Sequence, residues 1–381
     1  MQTRILPRAG TYPLGMSVFA FHTPPTNPHL AKPLTVGPLS LTSNLFLAPV
    51  ANYCDLAFRI IARQASGPAL ALACTDLLSP QGLLRGTAQS LDLARTHDLD
   101  RPVGMQLYGG DPDILAQGAE WAVRHGANLI DINMGCPVDK VTKKDGGSKL
   151  LCNPVNTVTI ARSLVETVAR ASRETVPVTA KLRLGWGCDD LVAPELAHQL
   201  ERAGIALITV HGRTAAQKFK GDVNHEGIKQ VVDAVDSIPV LGNGDVTDPA
   251  SALRMFEATG CQGIMVGRGA FARPWLFAQL WAAQRGERIE EPTLDAKLQL
   301  IRTYLDRMLE FRGERYAMAH ITRRITWFAK AIPPCKPLKE TIRNAKTPAN
   351  VHKALDEFAA GGLRSPERHS GPRPAEPVAA A

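Results

Sequence analysis

The chain contains no CxxC pair and no apolar run near the roughly 18 residues that a membrane span needs. The first absence argues against a zinc site of the usual spacing. The second leaves no membrane-spanning helix to place. Seven cysteines (Cys54, Cys74, Cys136, Cys152, Cys188, Cys261 and Cys335) are odd in number and scattered. That pattern fits reduced thiols and an expected cytoplasmic location rather than a disulfide framework. Charge is also modest, at 21% against 45% hydrophobic residues, the balance of a globular chain rather than a disordered one. The 381 residues leave room for one large domain and a smaller one. A net charge of +8 allows a polyanion as partner without requiring it.

What is present begins with a proline-rich start. The short stretch LGMSVFAF lies among prolines that include Pro24, Pro25, Pro28 and Pro33. Residues 1–34 are therefore expected to be a loosely ordered extension, not a signal peptide. Residues 361–381 hold four prolines and little to bury, which reads as a disordered tail.

Between these ends short apolar runs recur: LFLAP, ALACT, VGMQLY, LIDINMG, VTAKLRLG, LITVHGR, VLGNGD and GIMVGRG. Helix-like segments follow them. One of these, ILAQGAEWAVRHGA, has Asp-Pro before it and Gly126 near its end; another, LAHQLERAG, closes at Gly204. Eight strand–helix units over residues 35–289 predict a (β/α)8 TIM barrel, with a doubly wound open sheet as the structural rival. The nearly continuous apolar runs fit parallel strands buried on both faces. After residue 289 the strand signal stops. LDAKLQLIRTYLDRMLEF and AMAHITRRITWFAKAI read as amphipathic helices, so a helical domain is expected over 290–360. Residues 301–350 carry eleven Lys/Arg against four Asp/Glu, a stronger sign of a polyanion partner than the net charge.

Polar residues recur at the same end of the runs: Asp76, Gln106, Asn133, Cys136, Lys181, Arg183, His211, Arg213, Asn243, Asp245 and Arg268. In a barrel that end carries the active site. Any one of them could be an ordinary structural cap or ion-pair member; the set is what packing does not explain. The last two strands end in GNGD and GRG, where glycines let backbone N–H groups approach an anion. Lys181 and Arg183 alternate on one strand face. Lys181 could form an imine or face an electron-rich ring, and the neighbouring cation favours anion stabilisation. His211 could be a buried structural histidine or a ligand contact.

The motifs LAPVANYCDLAFR, GMQLYGGDP, DINMGCPVDKV with GGSKLL, VTAKLRLGW, ITVHGRTAAQKFKG, IPVLGNGDV and MVGRGAFARPWLF together resemble the tRNA-dihydrouridine synthases, most closely the bacterial B type. The resemblance covers about residues 34–355. It implies a barrel that binds FMN, a helical domain that binds tRNA, and NADPH as reductant of the flavin. It implies no membrane association and no stable protein partner. The reaction implied is reduction of the C5–C6 bond of particular uridines. By position, Pro49, Val50 and Ala51 match the first loop that meets the flavin, Gln106 and Lys181 match ring contacts, and His211 matches a further flavin contact. Asn243, Gly244, Asp245, Gly267 and Arg268 match the phosphate-side residues. Asn133 and Arg183 match positions that hold the target uracil, and Cys136 matches the proton donor. A thiol of ordinary pKa near 8.5 is mostly protonated at neutral pH, and the target base would have to flip out of the folded RNA. In the helical domain, Arg323, Arg324 and Lys330 beside Trp327 could grip a nucleic-acid backbone, or form a solvated helix face. The chain departs from the family at APVANYCD, where APMAGVTD is usual, and at Asp76, where a glutamate is usual. Two rivals share some of these features: a flavin enzyme acting on a free pyrimidine, and a tRNA-binding protein without catalysis.

Overall fold

The structure is a computed structural model describing residues 31–187 and 191–363, with the backbone of a short strand at Met16–Ser17. The expected tail from residue 364 onward, and all but the last residues of the expected N-terminal extension, lie outside the described residues. The chain divides into two compact units, with the boundary between Thr293 and Leu294 rather than at 289.

The first unit is a closed barrel of eight parallel strands. They are β1 Leu45–Leu47, β2 Leu72–Cys74, β3 Val103–Leu107, β4 Leu129–Met134, β5 Val178–Arg183, β6 Ile208–His211, β7 Val240–Asn243 and β8 Gly263–Val266. All eight lie inside the expected apolar runs, and β8 closes on β1 with Ile264 opposite Leu45. The open-sheet alternative is thereby excluded. Helix boundaries follow local chemistry. Asp111 accepts from the N–H groups of Asp113 and Ile114, with Pro112 in the first turn, so the helix Pro112–Arg124 starts where Asp-Pro predicts.

One element was not foreseen. Leu34–Val36 and Leu39–Leu41 form an antiparallel hairpin. Its Leu34, Val36 and Leu41 join Phe46, Leu72, Leu129, Leu207, Leu241 and Met265 in one buried cluster. The latter residues include the first positions of β2 and β4, so the hairpin plugs the N-terminal end of the barrel. Burial of each plug side chain contributes about 1.5–3 kcal/mol.

The outer wall contains a buried charge cluster. Arg59 donates to Asp100 at 2.8 Å, to Cys54 O at 2.6 Å and to Arg95 O at 2.9 Å. Arg63 reaches the other oxygen of Asp100 at 3.4 Å. Burial lowers the Arg63 pKa, and Asp100 opposes that shift. One carboxylate therefore balances two guanidinium groups and ties the first helix, Leu56–Ser66, to the segment before β3.

The second unit contains the helices Leu294–Arg312, Glu314–Phe328, Lys336–Asn344 and Pro348–Ala359. The second of these ends at Phe328 and tightens into a 3-10 turn at Ala329–Ala331, and Pro333 and Pro334 keep it from running on through Ile332. No helix among the described residues is long and apolar enough to cross a membrane. Replacing Asp100 with Ala would leave Arg59 and Arg63 buried without their counter-ion, at an expected cost of about 3–5 kcal/mol; urea unfolding checks it.

Candidate active site at the barrel mouth

Strand register brings the polar strand ends to neighbouring levels of the barrel. Gln106 lies opposite Asp131, Asn133 opposite Lys181, Arg183 opposite His211, and Asn243 opposite His211 on its other side. Asn133, Lys181, Arg183, His211 and Asn243 therefore meet at the C-terminal end of the barrel.

Inside that rim runs a chain of hydrogen bonds. Thr179 Oγ1 donates to Asp131 Oδ1 at 2.6 Å, and Gln106 Nε2 donates to Asp131 Oδ2 at 2.6 Å. Asn133 Nδ2 donates to Gln106 Oε1 at 2.7 Å. Asn133 Oδ1 accepts from the N–H groups of Gly135 at 3.2 Å and Cys136 at 2.9 Å. The chain thus ends on the turn that carries the thiol. The same turn is held from behind, where Ser148 N donates to Cys136 O at 3.0 Å. Gly147 makes this possible at φ +62°, since a Cβ there would lie 2.5 Å from Cys136 O. Burial pushes the Cys136 thiol pKa up, with Arg183 and Lys181 only partly opposing. The thiol is therefore protonated at neutral pH.

Lys181 Nζ donates to Asn243 Oδ1 at 3.0 Å, and Asn243 Nδ2 donates to Met265 O at 2.6 Å. Asn243, expected on the phosphate side, thus holds the lysine. Burial and then Arg183 bring the Lys181 pKa down to about 8. Burial, followed by the cations Lys181, Arg183 and Arg213, takes His211 to about 2, so its imidazole is neutral. Arg183 donates to Gly135 O at 2.7 Å, Thr214 O at 2.8 Å and Lys218 O at 2.7 Å. It clamps the loops after β4 and β6, and among the described residues its Nη2 has no hydrogen-bond partner.

The loops after β7 and β8 bring Asp245 and Arg268 together with Arg213. Asp245 binds Arg213 and, at 2.9 Å, Arg268. Hydrogen bonding from Arg213 lowers the Asp245 pKa. The carboxylate is spent on the two arginines, so it would act on an anion through them. Gly244, at φ +131°, allows this turn. Gly267 adjoins Val50 and Ala48, within 3.8 Å of its Cβ position, which brings the first loop, with Pro49, Val50 and Ala51, to the same corner. Two cations against one anion, backbone N–H groups of the helix start at Arg268, and a cationic lysine deeper in fit a phosphorylated ring ligand. Phe219 lies 5.5 Å from Arg183 and 5.4 Å from Arg268 and is 58% exposed at the entrance.

The departures in the first two loops are reconciled by geometry. Asn52 takes the place of the family glycine at φ +66°, a conformation that Asn tolerates better than most residues. Its N–H donates to Asp76 Oδ2 at 2.6 Å. The buried pair Asp131 and Thr179, which supports the rim from behind, was not foreseen. The signal was there: Asp131 shares a strand face with Asn133, two positions on, inside an otherwise apolar run. The three-residue group His198, Glu201 and Asp236 offers metal-type donors, but Glu201 is occupied with the N–H groups of Asp236, Ser237 and Ile238.

The architecture and rim define an enzyme-type TIM barrel with its polar groups gathered at one mouth. Its fold is similar to histamine dehydrogenase from Rhizobium sp. 4-9 (TM-score 0.51, 15% identity, 74% of this chain and 51% of that one). The model of the dihydrouridine synthase (Dus) family matches residues 46–361, and the chain belongs to that family. It is 35% identical over 340 residues to "Probable tRNA-dihydrouridine synthase 1" of Synechocystis sp., covering 88% of this chain and 92% of the relative. It is 33% identical over 329 residues to tRNA-dihydrouridine synthase B of Xanthomonas axonopodis pv. citri, covering 86% and 96%.

Iodoacetamide is expected to modify Cys136 more slowly than the exposed Cys152 at pH 7. The Cys136 rate should keep climbing as pH rises past the range of an ordinary thiol, because only the thiolate reacts. Peptide mass spectrometry across a pH series reads both sites.

Proposed function

We propose that this protein reduces particular uridines of tRNA to 5,6-dihydrouridine, with FMN held in the barrel mouth and NADPH as reductant. The observation that carries the reading is a protonated thiol, Cys136, on a hydrogen-bonded turn whose carbonyl Arg183 clamps. Family membership and the printed names of the relatives support the same reading.

Arg268 and the Gly244 and Gly267 loops would hold the FMN phosphate, with Arg213 and Asp245 fixing Arg268. Lys181, Gln106 and His211 would face the ring, with Pro49, Val50 and Ala51 beside it. Flavin bound there would supply the hydride that C6 of the uracil receives. The chain's own groups do the rest. Asn133 and Arg183 hold the uracil. Lys181 and Arg183 stabilise the negative charge that develops towards O4. Cys136 Sγ gives its proton to C5, completing the reduced C5–C6 bond, and the thiolate left behind takes a proton from water. Neutral His211 contributes no charge, and cationic Lys181 is lost as pH rises through about 8.

The second unit suits the RNA with one revision. Tyr316, His320, Arg323, Trp327 and Lys330 recur along one face at helical spacing. Arg312 lies 4.3 Å from the Tyr316 ring and Lys330 3.9 Å from the Trp327 ring. Such a face offers phosphate neutralisation and base stacking. Arg324 does not belong to it. Its side chain is buried, with the guanidinium 5.0 Å from the Tyr304 ring, because adjacent helix positions point about 100° apart. Arg324, expected to grip a backbone, is 2% exposed, and its burial supports a packing role instead. On the barrel, exposed Lys140, Lys143 and Lys144 follow the thiol turn, and Lys149 lies 5.4 Å from exposed Trp186. This rim adds positive charge at the entrance.

Cys136→Ala is expected to keep its yellow flavin and its NADPH oxidation while losing dihydrouridine formation about 100-fold or more; mass spectrometry of digested tRNA reads the product. Activity on free uridine equal to that on tRNA would overturn the RNA reading. Charge reversal at Arg323 and Lys330 should weaken tRNA binding with a reduced salt slope and normal folding, whereas Arg324→Glu should lower the unfolding midpoint.

A further inference from the structure

The hydrogen-bond chain at the mouth has a direction, and that direction sets what the pocket can recognise. At one end the donors are fixed, since the N–H groups of Gly135 and Cys136 can only donate. At the other end Asp131 accepts from both Gln106 and Thr179. The carboxamides of Gln106 and Asn133 lie between. If either flipped, two donors or two acceptors would face each other in a buried place. Asn133 Oδ1 is filled by two backbone N–H groups, and one Nδ2 hydrogen goes to Gln106. Among the described residues, what remains unpartnered on Asn133 is a single N–H.

We propose that Asp131 is the positioning residue that sets this polarity, so that Asn133 presents a hydrogen-bond donor to the base. The ligand chemistry it selects is a pyrimidine with a carbonyl oxygen at C4. The exocyclic amino group of cytosine would meet that donor with another donor. The inference rests on the uridine-reducing reading and adds a specificity mechanism to it. Asp131 is 1% exposed and acts through Gln106 and Asn133 rather than by touching the base.

The chain makes an unusual prediction about substitutions. Asp131→Asn alone should be tolerated. Its carboxamide oxygen can take the Gln106 hydrogen, and its NH2 can face Thr179. The Thr179 hydroxyl then accepts and turns its own hydrogen to Ile130 O, 3.4 Å away. Thr179→Val alone should also be tolerated, because the carboxylate still accepts from Gln106. Together they leave the new carboxamide with no partner to orient it. It must either bury an unsatisfied NH2 or drive the chain backwards until Asn133 releases the thiol turn.

The test compares the FMN-loaded wild type, Asp131→Asn, Thr179→Val and the double variant. Turnover of tRNA and the rate of Cys136 alkylation by iodoacetamide are both measured. The single variants should stay within a few-fold of wild type. The double variant should fall about tenfold or more below the product of the singles, the penalty of a buried unsatisfied polar group. The loss should lie in kcat rather than KM, because a contact to the carbonyl strengthens as charge reaches it. Cys136 should alkylate faster in the double variant only. Additive effects in both measurements would overturn the proposal. So would an Asp131→Asn variant as impaired as Asp131→Leu, which would make the charge itself the requirement. A wild type inactive on every tRNA, but with the same alkylation pattern, would sink the uridine reading and leave the hydrogen-bond chain standing.

Discussion

A carboxylate buried inside a barrel strand must find donors, and the site is arranged around how Asp131 finds them. Its two oxygens take Thr179 from β5 and Gln106 from β3. Three neighbouring strands are joined by that one group. The constraint then passes along β4 to Asn133 and out to the turn bearing Cys136. Lys181 sits on the adjacent strand, and Asp131 is among the charges that oppose the fall in its pKa. Removing such a group would unsettle several partners at once, since buried polar networks are costly when half satisfied.

The sequence exposed the barrel because its strands are short apolar runs that end in glycine or a polar residue. It hid the plugging hairpin because LTVGPLSL offers only two three-residue strands around Gly37-Pro38, too short for alternation to speak. The rim was legible as a set of residue types at strand ends. Their partnerships were not, because Asn243 meeting Lys181 depends on strands 62 residues apart in sequence. Arg324 shows the same limit on a helix: two adjacent arginines read as one basic patch until packing separates them.

The first loop shows how a motif can change its letters and keep its form. Asn52 supplies the left-handed backbone that glycine would supply, and Cys54 Sγ donates to Ala48 O at 2.9 Å while accepting from Val50 N at 3.3 Å. Asp76 reaches the Asn52 N–H directly. The result is a loop whose turn is held by its own less usual residues.

The plug at the barrel floor has a consequence for turnover. With Leu34, Val36 and Leu41 covering one end, the polar strand ends lie at the other. Under the proposed reaction the thiolate of Cys136 would regain its proton at that same end, where the RNA would bind. The hairpin, at the opposite end from the chemistry, would thus confine product release and resetting of the acid to one face of the barrel.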